Sequence, residues 1–350
     1  MFTISVCMIV KNEEETIERI LISATKFADE IIIVDTGSTD NTISIASRYT
    51  QNIYHFTWCE DFSKARNYSF SLATKDYIMW LDADDVITEE NINKILNLKK
   101  NYKNISVYMC KYLLFTKGLT HPNLEYYRER ILRRSDNYKW QGFVHEVITP
   151  HSNIEYTSIE IEHRKEQSGE PKRNLNIYRK ALKRGVILSA REQYYYAREL
   201  YYNGYYTSAI THLKKFLKME NKYIANEIEA TILLSDIYHI QSKLNLAKKT
   251  LLDYLRDHPP TSEICCKLGN IFLDENITNS AIFWYDAATI APTQKYGFIN
   301  PDYDNFIPYL SLCQIYYNLG KKDIAKTFHE KATKIHPTHP SIIYNSQFFK

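Results

Sequence analysis

Trp80-Leu81-Asp82-Ala83-Asp84-Asp85 is the stretch on which the fold turns. It places three carboxylates within four residues, directly after the apolar run Tyr77-Ile78-Met79-Trp80-Leu81. That order reads as a buried strand ending in clustered acids. An unpaired carboxylate inside a protein is very costly, so these charges must meet solvent, a cation or a donor-rich ligand. All-oxygen donors suit hard cations such as Mg²⁺ or Mn²⁺, which bind through one or two carboxylates plus substrate phosphates. The competing reading is a turn leading into a helix N-cap, a position that favours aspartate.

Towards the N-terminus the chain alternates strands and helices. Ile4–Val10 is a β-rich run, and Asn12–Phe27 has helical spacing at Ile17, Ile20, Leu21 and Ala24. Asn12 with Glu15 three residues on resembles a capping box. Ile31–Val34 is β-branched throughout, as in a strand buried on both faces of a parallel sheet. Helices over Thr39–Arg48 and Phe62–Ala73, with strands over Gln51–Phe56 and Tyr77–Leu81, complete the pattern. Repeated strand–helix–strand order implies right-handed crossovers and a doubly wound sheet. Such sheets bind ligands beyond the carboxyl ends of their strands. Polar residues follow three of the four strands there: Lys11/Asn12/Glu13, Asp35/Ser38/Asp40 and Asp82/Asp84/Asp85. A nucleotide site is therefore expected. Asp35 can accept from a base N–H or a ribose hydroxyl, and Gly37 lets the backbone approach closely. Asp40 fits complementation of a helix dipole. No G-x-G-x-x-G follows the first strand, which disfavours an adenine dinucleotide.

Further on, Ile105–Phe115 and Arg130–Arg134 read as strands, and Ile154–Ile161 alternates up to His163. The intervening Trp140-Gln-Gly-Phe-Val-His-Glu146 is a second polar cluster, or a core strand with a satisfied histidine. Arg128, Arg130, Arg133 and Arg134 could attract a diphosphate or an acidic acceptor, but as a set they fit better a solvated strand face. From about residue 171 only helical patterns remain, with self-similarity near 34 residues. Aligned on Ala209, Ala247, Ala281 and Ala325, the positions twelve earlier are small: Ala197, Ser235, Gly269 and Cys313. Those nine earlier are large: Leu200, Tyr238, Phe272 and Tyr316. Thr293–Asn305 reads as a loop inserted between the third and fourth repeats. The tyrosines of Tyr194–Tyr196, Tyr201–Tyr202 and Tyr205–Tyr206 divide between repeat core and binding surface.

The chain has 350 residues, enough for two or three domains. A formal net charge of +3 gives no general field for nucleic acid. The six cysteines show no metal or disulfide-scaffold spacing. No basic leader and no apolar run of bilayer length is present. A reducing cytoplasm is the expected location.

Ser5-Val-Cys-Met-Ile-Val-Lys-Asn-Glu13, Val34-Asp-Thr-Gly-Ser-Thr-Asp40, Ala65-Arg-Asn67 and Leu81-Asp-Ala-Asp-Asp85 together resemble the family-2 glycosyltransferases, and the helical half resembles tetratricopeptide repeats. The resemblance implies an α/β GT-A domain over residues 1–170, a connecting helix over 171–189 and an all-α repeat domain over 190–350. It implies a metal-dependent, inverting transfer of a hexose from a nucleotide sugar, with UDP-sugar as the donor. Asp35 would contact uracil, Arg66 would lie near the nucleotide, and Asp82 would hold ribose or diphosphate. Val10, Glu13 and Ala83 would line the nucleotide pocket. Asp84 would coordinate Mn²⁺ or Mg²⁺, with His145, or alternatively His163, completing the metal shell. The Trp140–Glu146 stretch, with the following histidine and Lys172-Arg-Asn174, is similar to that of glycocin-type peptide glycosyltransferases and lipopolysaccharide core glucosyltransferase-like proteins. Glu146 is then the candidate general base, with Glu129 and Asp136 competing for the role. The implied acceptor is a Cys, Ser or Thr side chain of a peptide or protein held by the repeats, whose surface also suits a homodimer. A cell-envelope or lipid-linked glycan acceptor, or a non-catalytic scaffold, are the alternatives.

Overall fold

A computed structural model describes the chain except residues 102, 116–121, 123, 165–171, 293–299 and 350. The expected 170/171 boundary and most of the expected inserted loop lie outside the described residues. Contacts divide the chain into two compact units, Met1–Val186 and Ile187–Lys350.

The first unit is built on an eight-stranded mixed sheet. In chain order its elements are β1 (Ile4–Val10), α1 (Ile17–Ala24), β2 (Glu30–Asp35), α2 (Thr42–Ala46), β3 (Ile53–His55), α3 (Phe62–Ser71) and β4 (Tyr77–Trp80). There follow β5 (Asp85–Val86), α4 (Glu89–Lys100), β6 (Val107–Phe115), β7 (Leu124–Arg133), β8 (Ile154–Arg164) and α5 (Arg173–Lys183). The strand order is β3-β2-β1-β4-β7-β6-β8-β5. The first four strands run parallel, as the strand–helix alternation requires. β7 is antiparallel to β4 and β6, β8 runs parallel to β6, and β5 closes the edge against β8. Both faces are covered. Ile4, Val6, Met8, Ile31, Ile33 and Met79 point into one core. Cys7, Ile32, Val34, Ile78 and Trp80 point into another, with Phe70 and Trp140. Apolar residues in successive positions are required when both faces are dry.

The position of β5 has a geometric consequence. Trp80 and Asp85 are five steps apart in sequence, at most ~18 Å when fully extended. Four strand spacings in a flat sheet cover ~19 Å. The linker is also folded, since Asp85 N–H donates to Asp82 O at 3.1 Å. The sheet must therefore curl, and this returns the end of β8 to the end of β4. Asp85 is consequently paired with His163.

Two local expectations are corrected. Asn12 caps no helix: α1 begins at Ile17 after Thr16, and Asn12 has φ 55°. Its side-chain oxygen accepts from Thr39 N–H at 2.8 Å, lacing the loops after β1 and β2 together. Tertiary demand for a donor-matched loop overrides the local capping signature. Arg130 is not on a solvated strand face but is completely buried. Its guanidinium lies 3.6 Å from the Trp80 ring centroid and 4.1 Å from that of Tyr112.

The second unit is helical. Four antiparallel pairs are α6 (Ala190–Tyr202) with α7 (Tyr206–Leu217), α8 (Ile224–Ile240) with α9 (Leu244–Leu255), α10 (Ser262–Asp274) with α11 (Thr278–Ile290), and α12 (Phe306–Asn318) with α13 (Lys322–Ile335). α14 (Pro340–Ser346) follows. Ala209, Ala247, Ala281 and Ala325 are all fully buried at the helix crossings. A Cβ at Gly269 would stand 2.9 Å from the Tyr285 ring. Five residues before each aligned alanine stands a left-handed residue: Gly204, Ser242, Asn276 and Gly320. The next amide in each turn donates back to Leu200, Tyr238, Phe272 or Tyr316 O, at 2.8–2.9 Å. This helix-ending bond pattern satisfies orphan carbonyls. Tyr194, Tyr195 and Tyr196 are core residues, whereas Tyr202 is 63% exposed.

Candidate active site

A cleft of about 1140 Å³ opens where the parallel strands end. Val10 and Glu13 enter it from the end of β1, Thr36 from the end of β2, and Asp82, Ala83 and Asp84 from the turn after β4. Arg66 reaches it from α3. The Trp140–Val147 segment supplies His145 and Glu146, and the end of β8 supplies His163. This segment is a tight loop closed by paired hydrogen bonds between Gln141 and Val147, at 2.9 and 3.0 Å. Gly142 and His145 both take left-handed backbone, φ 98° and 54°, which turns Glu146 inward. Asn67 anchors the loop by exchanging hydrogen bonds with the Trp140 backbone, at 2.9 and 3.0 Å.

Arg66 is the electrostatic hub. Its Nη2 donates to Asp82 Oδ1 at 2.8 Å and its Nε to Glu146 Oε1 at 2.6 Å. The guanidinium lies between Trp80 and Trp140, 5.2 and 4.8 Å from their ring centroids. Burial alone would push the Asp82 carboxyl up. The charges of Arg66 and Arg130 more than reverse this and hold it well below the usual carboxylate range. Glu13 moves the other way, raised chiefly by burial and further by the charges of Asp84 and Asp82, against a hydrogen bond from Thr16.

Asp85 has no exposed surface. Tyr112 O–H donates to its Oδ1 at 3.0 Å, and Asp82 N–H and Arg130 Nη1 both donate to its Oδ2, each at 3.0 Å. One of the three clustered acids thus turns inward to a buried arginine and props the turn that presents the other two. His163 Nδ1 lies 3.2 Å from Asp84 Oδ1 and 3.5 Å from Asp85 Oδ1. Burial opposes its charge, but hydrogen bonds and charge from Asp84 and Asp85 outweigh this and push the imidazole up to about 10.

Potential ligand atoms of Asp82, Asp85 and His163 lie within 4.8 Å of one another. With Asp85 committed to Arg130 and Tyr112, the donors that face the cleft are Asp82, Asp84 and His163. Carboxylate oxygens with one imidazole suit a divalent cation such as Mn²⁺, so these residues fit the metal. His145 lines the same cleft but lies outside that cluster. Asp35 is buried at the end of β2, accepting from Ser38 N–H at 3.0 Å and Gly37 N–H at 3.2 Å. Its neighbour Thr36, rather than Asp35, lines the described cleft. Glu129 pairs with Arg128 and Asp136 with Arg133, and neither lines the cleft.

Sequence reasoning missed two contributors. Arg130 follows Glu129 and precedes Ile131 and Leu132, a four-residue buried run whose central charge could be read only by counting the strand as covered on both faces. The wall formed by α5 was read only as the short patch Lys172–Asn174. Its cleft residues Arg173, Lys180 and Lys183 recur at helical spacing.

Residues 5–154 match the family model Glycosyl transferase family 2, and the N-terminal unit carries a domain of that family. A TPR repeat-containing protein of Synechococcus elongatus is 43% identical over 90 residues, 26% of this chain and 22% of its own. The SPbeta prophage-derived glycosyltransferase SunS of Bacillus subtilis is 26% identical over 275 residues, 74% of this chain and 64% of its own. The chain thus spans less than two thirds of either relative. Among solved structures, glucosyl-3-phosphoglycerate synthase of Mycobacterium tuberculosis aligns at 15% identity and a TM-score of 0.37, covering 54% of this chain and 81% of its own. No described helix is long and apolar enough to cross a membrane.

Proposed function

We propose that this cleft binds a UDP-type nucleotide sugar through Mn²⁺ or Mg²⁺ and transfers its hexose, with inversion, to a Cys, Ser or Thr side chain of a peptide or protein. The observation that carries this reading is convergence. Asp82, Asp84, His163, Arg66 and Glu146 come from four separated segments and meet in one cleft at the carboxyl ends of parallel strands. A diphosphate leaving group gathers negative charge as the glycosidic bond breaks, and a bound divalent cation stabilises that charge. Asp84, Asp82 and His163 are the residues that would hold it. Val10, Thr36 and Ala83 line the wall against which the nucleoside packs, with Asp35 behind that wall.

Glu146 is the base that takes the acceptor proton. Arg66 Nε holds one of its oxygens, fixing its orientation and tying it to the carboxylate that meets the donor. The base and the donor site are therefore set by one side chain. The family-2 match over residues 5–154 of this chain, and the similarity to SunS, a glycosyltransferase by name, accord with sugar transfer. The helical pairs of the second unit suit an extended peptide, because stacked repeats present long concave surfaces.

The test is donor hydrolysis and acceptor transfer in the purified chain. Asp84→Ala should abolish Mn²⁺-dependent release of UDP. Glu146→Gln should retain UDP binding but lose transfer by about 10²–10⁴-fold, the usual yield of general base catalysis. Unchanged turnover in Asp84→Ala would remove the metal role, and unchanged transfer in Glu146→Gln would remove the base.

A further inference from the structure

The cleft is electrically divided. Its floor carries Glu13, Asp82 and Asp84, while α5 faces it with Arg173, Arg179, Lys180 and Lys183. Leu175, Ile177, Tyr178 and Ala181 are the buried residues of α5, so the cationic row occupies the opposite stripe of an amphipathic helix. Lys180 Nζ pairs with Glu60 Oε1 at 2.6 Å at the cleft edge. Arg173 stacks 4.9 Å from the Phe62 ring centroid, and among the described residues neither it nor Lys183 has a carboxylate at ion-pair distance.

From Arg173 to Lys183 the helix rises ~15 Å. A single diphosphate is shorter than this, and its charge is already met at the floor by the proposed cation. An extended chain advances ~3.3 Å per residue, so the row matches four or five residues of a strand-like segment. We infer that the α5 row is the acceptor subsite and that it selects a peptide acceptor carrying several carboxylates beside the modified residue. This deepens the sugar-transfer reading and rests on it, because it names the class of acceptor. The cations neutralise the acceptor's acids as it lies along α5, and one of its side chains is thereby held near Glu146. Long, exposed lysines steer such a segment into the cleft and fix its register more than they tighten it.

The test separates the anion's two sources, acceptor and donor. A fluorescein-labelled peptide alternating Glu and Ser, and its Gln-for-Glu counterpart, are titrated against the intact chain by anisotropy. UDP with Mn²⁺ is titrated separately. The wild type should prefer the Glu peptide by about tenfold, and rising salt should erase the preference. Lys180→Ala/Lys183→Ala, at two exposed positions, should weaken the Glu peptide about fivefold, in the range of two partly exposed ion pairs. It should leave UDP affinity and donor hydrolysis within about twofold. Equal affinity for the two peptides overturns the inference. Loss of UDP affinity in the double variant also overturns it, by assigning the row to the donor. Because the peptide arm needs no turnover, a failure of sugar transfer itself would show separately, as absent donor hydrolysis.

Discussion

Asp85→Asn tests whether the motif turn depends on a buried charge pair. Asp85 and Arg130 both have side chains with no exposed surface, and they meet at 3.0 Å. The carboxylate is used on both oxygens: Oδ2 by two donors, Asp82 N–H and Arg130 Nη1, and Oδ1 by the Tyr112 hydroxyl. Asparagine has a single oxygen. Whichever way its amide is turned, an N–H₂ group faces a donor, and Arg130 keeps its charge without an anion. Breaking a buried pair from one side costs about 3–5 kcal/mol. Stacking of Arg130 on Trp80 and Tyr112 offsets part of that, because desolvated cation–π contacts contribute roughly 2 kcal/mol. The expected loss is therefore about 1–3 kcal/mol. Three of the four tryptophans, Trp58, Trp80 and Trp140, lie in the first unit. Urea unfolding followed by tryptophan fluorescence thus reports mainly that unit. Asp85→Asn/Arg130→Met should be less destabilised than the single variant, since it removes the stranded charge. A single variant within 0.5 kcal/mol or so of wild type would refute the argument, as would a double variant that loses the sum of the two single losses.

Gly269→Ala drives a methyl to within 2.9 Å of the Tyr285 ring, itself buried and hydrogen-bonded to Asn270. Overpacking of this kind costs about 1–3 kcal/mol, read as a lower midpoint for loss of helical circular dichroism; an unshifted midpoint would show that α10 and α11 are free to separate. Glu263 is raised to about 7, chiefly by burial, with Lys267 opposing and Asp236 adding to the rise. A folded-state value above the unfolded one makes stability greatest below the unfolded value, ~4.5, and lost as pH rises through about 7. The second unit should therefore lose on the order of 2 kcal/mol between those limits. Glu263→Gln should flatten that dependence in urea titrations at fixed pH; an unchanged slope would assign it to other groups.

How far the chain could be read from its letters depended on whether a residue's partner was local. Ile31–Val34 declared a doubly covered strand because β-branching and continuous apolarity are properties of the segment itself. The aligned alanines declared repeats because each crossing repeats the same steric demand. Even there, the left-handed turns at Gly204, Ser242, Asn276 and Gly320 went unread, since two of the four use no glycine. The misread residues are those whose partners lie far along the chain. Asn12 has the right spacing for a capping box, but Thr39, 27 residues away, takes its oxygen. Arg130 alternates like an exposed strand residue, yet the curl of the sheet places Asp85 beneath it, 45 residues earlier in the chain. The same curl brings His163 to Asp84, 79 positions apart by number, so a spacing rule could offer His145 as readily as His163. A cluster of three aspartates announces that charge must be met; it does not say which acid meets solvent and which meets an internal arginine. Strand order decides that, because only a sheet whose last-paired edge returns to the motif turn can supply a buried guanidinium to one acid and leave the others open to a ligand.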